Sequence, residues 1–305
     1  MIRMVRGLIP PRLSPVARGI YSLGRRVLKL AANWVVPPGL VRVMQRIGFE
    51  LSLRPNVHES TILSRNAKFR NMYAGRRCFV IGNGPSLNKQ DLSPLANEVT
   101  IVMNQFNKHP VIEKWKPTFY CMAEPGENIK PEEILPLFLK GIEAQAYFYR
   151  MEYKELFDKH RFVDPEKVYY LKTGGVPLRD WPASRHSIDL TRTIPGCQST
   201  AHMALMLAVY LGCSPIYLLG LDHDVLAQPT VATHFYASSA EDDYSFSVLS
   251  YKQIMEVMLI VWTIHEWIKD VASKQGVVIY NATAGGFLDV FPRVEFESLF
   301  PPTRT

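Results

Sequence analysis

From Thr193 to Leu221 the chain carries no Lys, Arg, Asp or Glu. An uncharged run of that length is either a membrane span or the inside of a folded domain. Gly212-Cys213-Ser214-Pro215 interrupts it. Proline brings no backbone donor and glycine opens backbone angles closed to other residues, so one helix cannot run through this point. The two halves read as a buried helix, Ser199–Leu211, followed by a buried strand, Ile216–Leu219. That is a single α/β unit, and it excludes the membrane span.

The chain from Arg77 onward repeats this pattern. Apolar runs at Cys78–Ile81, Val99–Met103, Thr118–Met122, Ala146–Tyr149, Val168–Leu171 and Val277–Tyr280 have strand length. Helical patterns cover Pro131–Lys140 and a long stretch near Ser247–Lys274. Near-continuous apolar strands separated by helices indicate a sheet whose two faces are both covered. The expected fold class is α/β: a Rossmann-like open, mainly parallel sheet with helices on both faces, plus an N-terminal helical arm. The expected division is a basic amphipathic arm over 1–55, a polar linker over 56–76, and a single Rossmann-like domain over 77–305.

Charge separates the arm from the domain. Residues 1–55 hold ten Lys/Arg and one acidic residue, Glu50, a net +9, whereas the whole chain of 305 residues carries +7. The remainder is therefore slightly acidic, which argues against a nucleic-acid-binding core. Within the arm, Val16, Ile20, Leu23, Val27, Leu30 and Trp34 recur at helical spacing, with Arg18, Arg25 and Lys29 on the opposite face. Such a helix suits an anionic membrane interface, or else packs on the domain with its charges in water. Pro37-Pro38-Gly39 ends it, and a second amphipathic piece follows (Leu40, Val43, Met44, Ile47, Leu51). Arginines interrupt the apolar runs, so a secretory signal is not expected. Cys78, Cys121, Cys197 and Cys213 form no C-x-x-C pair. A reducing cytosol fits that usage, and the expected location is cytoplasmic, with peripheral contact at the inner face of the cell membrane.

Polar residues gather where strands end. Gly82-Asn83-Gly84-Pro85-Ser86 follows the first strand, and its N–H groups and Ser86 hydroxyl are expected to face an anion. Asn104-Gln105 follows the second strand, where amides can read a base or ribose. Glu124-Pro125-Gly126 follows the third, and Gly220-Leu221-Asp222-His223-Asp224 follows Ile216–Leu219. Ligands of open parallel sheets bind outside the carboxyl ends of the strands, so a nucleotide-type pocket is expected there. Gly196-Cys197-Gln198-Ser199-Thr200 opens a helix, with Ser199 or Thr200 as its cap and its N–H groups available to an anion. His234, in a loop spanning Gln228 to Tyr244, is the candidate general base, and His223 competes with it. Asp222 and Asp224 form a D-x-D that either holds a divalent cation or orients the loop.

In the order and spacing of these motifs the chain resembles the 6-hydroxymethylpterin pyrophosphokinase-like (MptE-like) family. It is similar also to the bacterial sialyltransferases of glycosyltransferase family 42. Val80-Ile81-Gly82-Asn83-Gly84-Pro85-Ser86-Leu87, Asn104-Gln105-Phe106, the segment from Gly196 to Asp222 and the His234 segment carry the likeness. The sialyltransferase resemblance implies metal-independent transfer from a CMP-sugar, with no cofactor. It implies that Gly82, Asn83, Gly84, Ser86, Asn104, Gln105, Glu124, Gly196, Ser199, Thr200, Asp222 and Tyr236 line the donor site, with His234 taking the acceptor proton. Two departures stand out: Glu124 where those enzymes have asparagine, and His223-Asp224 where they have tyrosine. Tyr236 or His223 is left to assist the departing phosphate.

Three functions follow from the residues and the resemblance together. The first is a glycosyltransferase building a surface glycan or lipopolysaccharide. The second is a magnesium- and ATP-dependent diphosphotransferase acting on a hydroxymethylpterin, with Asp222 and Asp224 on the metal. The third is a non-catalytic nucleotide-binding module.

Overall fold

In the computed structural model, residues 38–52, 54–123, 130–175, 187–227, 234–236 and 249–301 are described. The chain divides into two units, Met1–Leu51 and Ser52–Thr305. The expected stripe from Val16 to Trp34 lies outside the described residues.

Seven parallel strands form one sheet in the second unit: β1 (Cys78–Ile81), β2 (Val99–Met103), β3 (Phe119–Met122), β4 (Ala146–Arg150), β5 (Val168–Leu171), β6 (Ile216–Leu219) and β7 (Ile279–Asn281). Their order is β5-β4-β3-β2-β1-β6-β7. β1 lies between β2 and β6, with Cys78 level with both Val99 and Ile216. The side-chain period of two divides each strand between two cores. Val80, Ile101, Cys121, Phe148 and Leu218 face one layer with helices α5 (Thr200–Tyr210) and α6 (Tyr251–Lys274). Ile81, Val102, Tyr120, Tyr149 and Leu219 face the other, with α3 (Pro131–Leu139), α4 (Lys154–His160) and Leu87, Leu92 and Leu95. Every residue of α5 is buried, because the helix contacts β1, β2 and β3 as well as α6. This explains the missing charges between Thr193 and Leu221. No helix among the described residues is long and apolar enough to cross a membrane.

Element boundaries differ slightly from the sequence reading. The last strand starts at Ile279, because the Val277 N–H turns back to cap α6 on the Ala272 carbonyl. The long helix starts at Tyr251, where Ser250 and Gln253 form a capping box.

The expected linker is a correction. Residues 56–76 begin with helix α2 (Val57–Ser64), capped reciprocally by Asn56 and Glu59. A 3-10 turn, Arg65–Phe69, follows. Leu63, Asn66 and Phe69 are buried. Asn66 Nδ2 donates to the carbonyls of Tyr170 and Leu190 at 2.9 and 2.8 Å. Phe69 meets Phe119, Phe148 and Tyr169 edge-on. Three anchors at intervals of three, with Ile62 and Tyr73 packed beside them, hold a segment most of whose other residues are exposed. Average composition therefore concealed a packed element.

The first unit contributes α1 (Pro38–Ser52), a helix as the spacing of its apolar residues predicts. Leu40, Val43, Met44, Ile47 and Leu51 are all exposed on it.

Candidate functional site

The strand order reverses at β1, so a ligand of an open α/β sheet is expected at the carboxyl ends of β1 and its two neighbours. The two sides of β1 are built differently.

On the β6 side the turns are in contact. Gly82 N donates to Leu219 O, and Gly84 N donates to Gly220 O, each at 2.8 Å. A Cβ on Gly84 would lie 1.6 Å from Asp222 Oδ2, so only glycine fits there. Asp222 is buried, and its Oδ2 accepts from Ser86 Oγ at 3.0 Å and from Ser86 N at 3.4 Å. Burial pushes the Asp222 carboxyl above the usual carboxylate range, although the Ser86 hydrogen bonds pull it back. On its other side Phe287 N donates to Asp222 O at 2.7 Å.

This corrects the reading of Ser86. Its N–H and hydroxyl were expected to face an anion, but both serve Asp222, a buried carboxylate that requires donors. The turn also enters a five-residue 3-10 helix, Pro85–Lys89, rather than an α-helix. Of the two alternatives for the D-x-D, the contacts of Asp222 match the orienting of the loop. A magnesium ion takes one or two carboxylates and near-ideal octahedral geometry. Asp222 Oδ2 is wedged against Gly84 and committed to Ser86, and Asp224 is separated from it by His223 in a left-handed conformation (φ 50°). Among the described residues no group of three or more His, Cys, Asp or Glu is arranged to hold a metal ion. The pair does not fit a two-carboxylate clamp.

On the β2 side polar atoms converge without such a strut. Asn83 is buried, and its Nδ2 donates to Met103 O at 3.2 Å. Its Oδ1 has no hydrogen-bond partner among the described residues. Asn104 takes a left-handed conformation (φ 49°), which asparagine tolerates better than most residues. Tyr120 Oη donates to the Asn104 carbonyl at 2.8 Å. Thr200 Oγ1 donates to Asn104 Oδ1 at 3.1 Å and accepts from Ala123 N at 3.2 Å. One hydroxyl thus joins the ends of β2 and β3 to the N-terminus of α5. Gln105, also buried, precedes a 3-10 turn, Phe106–Lys108. Gly196 and Ser199 lie just before α5, with Gly196 N donating to Gly175 O at 2.8 Å.

The His234 segment comes down on this side. Phe235 N donates to Asn83 O at 2.8 Å, and Asn88 Nδ2 donates to Phe235 O at 2.9 Å. The Phe235 ring packs against Phe106 and His109. His234 and Tyr236 stack, with centroids 5.0 Å apart, and Lys108 Nζ lies over the Tyr236 ring. Glu124 lies outside the described residues, as do 228–233 and 237–248 of the loop.

Burial separates the histidines. His223 Nε2 is 3.2 Å from His265 Nε2, and the His202 and His265 rings are 4.5 Å apart. His202 Nδ1 accepts from the N–H groups of Gln198 and Ser199. Burial pushes His202 down to about 3 and His223 to about 4, and lowers His265 and His109 as well. All four are neutral rings and poor proton acceptors near pH 7. His234 is only partly buried. The sequence reading missed Asn88 and His109, which seat the Phe235 segment, and His265, which meets His202 and His223. Only Asn88 had a signal, two residues after the Gly-x-Gly-Pro-Ser turn.

A family model described as "6-hydroxymethylpterin diphosphokinase MptE-like" matches residues 53–227. The structure of the MAf glycosyltransferase from Magnetospirillum magneticum AMB-1 is similar, with a TM-score of 0.44 and 16% identity, over 80% of this chain and 39% of that one. This chain thus spans well under half the length of that protein. No curated protein matches the sequence.

Proposed function

We propose, from the premise that the chain belongs to the MptE-like family, that it is a glycosyltransferase using a nucleotide-sugar donor, with His234 as general base. The observation that carries the reading is the attachment of the His234 segment to Asn83, at the end of β1, by the Phe235 N–H. A partly exposed histidine is thereby tethered next to Asn83. The competing histidine, His223, is occupied by His265 and held neutral.

In this reading the donor is a CMP-sugar and the acceptor is a surface glycan or lipopolysaccharide. Asn83, Asn104 and Gln105 hold the nucleotide, and the opening turn of α5 (Gly196, Ser199, Thr200) faces its phosphate. His234 removes the acceptor hydroxyl proton as that oxygen attacks the anomeric carbon. The bond from the anomeric carbon to the phosphate oxygen breaks, CMP leaves with the electron pair, and the configuration inverts. Tyr236, stacked on His234, is positioned to steady the departing charge. Gly82, Gly84, Ser86 and Asp222 support the turn. No step is assigned to a metal, because Asp222 and Asp224 do not fit one.

The second reading, a magnesium- and ATP-dependent diphosphotransferase on a pterin alcohol, is favoured by the family's description. Calorimetric titration with CMP, CMP-sugars and ATP, with and without magnesium, separates the two. CMP binding that survives a chelator supports sugar transfer. Magnesium-dependent ATP binding with no CMP binding overturns it. His234→Ala is expected to retain nucleotide affinity and lose turnover by about 10²–10⁴-fold. Full turnover in that variant would remove His234 from the mechanism.

A further inference from the structure

We infer that helix α1 is a membrane-docking element whose apolar face lies in the surface of an anionic bilayer. This stands apart from the proposed reaction and does not depend on it. Leu40, Val43, Met44, Ile47 and Leu51 are 50–63% exposed. Their spacings of three, one, three and four place them on one face of the helix. A contiguous apolar stripe left in water is unfavourable and marks an interaction surface. A fifteen-residue helix is about 22 Å long, short of the roughly 30 Å hydrocarbon core, so it lies along the membrane rather than across it.

Charge selects the occupant. The segment 1–55, which contains α1, carries +9 with Glu50 as its one acidic residue, and the rest of the chain is slightly acidic. An anionic lipid surface complements that charge. A second copy of the chain does not, because its own +9 segment would meet the first across the interface.

The test uses the full chain and flotation with vesicles. One set is phosphatidylcholine alone; the other contains about 30% phosphatidylglycerol, a surface that attracts basic segments. The native protein is expected to float with the anionic set at least tenfold more than with the neutral set. Raising salt from about 0.1 to 0.5 M should weaken that binding. The variant Met44→Gln/Ile47→Gln keeps every charge and a good helix-forming residue at both sites. It is expected to lose at least tenfold of the anionic binding, with helicity by circular dichroism unchanged. Three results would overturn the inference. The native chain stays unbound; or the variant floats like the native chain, which assigns docking to residues 1–37; or light scattering shows a native dimer that the variant dissociates, which assigns the face to a second copy.

Discussion

The two flanks of β1 look alike in sequence, each a glycine or asparagine turn with a nearby acid, amide or hydroxyl, yet they do different work. In the turns on the β6 side the polar groups satisfy one another: Ser86 serves Asp222, and Gly84 makes room for it. On the β2 side Asn83 Oδ1 is buried without a partner, and Thr200 and Asn104 meet at a junction of three elements. Whether a polar strand end is a site or a strut depends on whether its atoms already have partners inside the protein.

The largest expected effect lies on the strut. Gly84→Ala puts a methyl carbon 1.6 Å from Asp222 Oδ2, so either the carboxylate gives up its Ser86 hydrogen bonds or the turn shifts and breaks the Gly84 N–H to Gly220 O bond. We expect a loss of at least about 3 kcal/mol in urea unfolding, the upper range of overpacking costs. Asp222→Ala should cost about 2–3 kcal/mol, since it leaves the buried Ser86 donors unpaired. The comparison fails if Asp222→Ala is as stable as the native chain but loses nucleotide binding.

Acid should reach the β6 side next. His223 follows Asp222 and meets His265, which contacts His202; Trp262 and Phe291 pack on these rings, and Asp289 holds the Trp262 indole. These histidines are neutral when folded, and their folded pKa values lie below the unfolded value of about 6.5. The unfolded chain therefore binds more protons below pH 6.5. Stability is full above that pH and falls as pH drops, to about 4 for His223 and about 3 for His202. Each contributes a slope of up to about 1.4 kcal/mol per pH unit. Asp222 has the opposite sign: its pKa is raised on folding, so acidification through the carboxylate range favours the folded state and offsets part of the loss. Urea midpoints at pH 7, 6 and 5 check this, and a flat profile would mean that the three rings are not held neutral.

Much of the fold was legible because fully buried strands are short apolar runs, and β1, β2, β5 and β6 have the expected bounds. The charge-free stretch identified α5 correctly as a buried helix. Segment 56–76 was not legible, because three buried side chains among many polar ones leave no run to detect. At the site, Thr200 meets Asn104 and the Phe235 N–H meets the Asn83 carbonyl. The Ser86–Asp222 hydrogen bond itself was not legible, because it joins positions 136 residues apart. The histidine cluster was invisible for the same reason, since its members come from α5, the β6 turn and α6.

The smallest expected change in stability bears most directly on the β2 side. Thr200→Val preserves shape and burial but removes one hydroxyl. Ala123 N–H and Asn104 Oδ1 lose their shared partner, at a cost of about 1 kcal/mol in stability. If this flank is a site, the larger consequence is on binding. The Asn104 amide is released from the orientation that Thr200 sets, and nucleotide affinity is expected to fall about tenfold, which corresponds to about 1.4 kcal/mol. Thr200→Ser keeps the hydroxyl and should restore both. Lost stability with unchanged affinity would make the Thr200 junction a strut like the one at Asp222, and the two flanks of β1 would no longer differ.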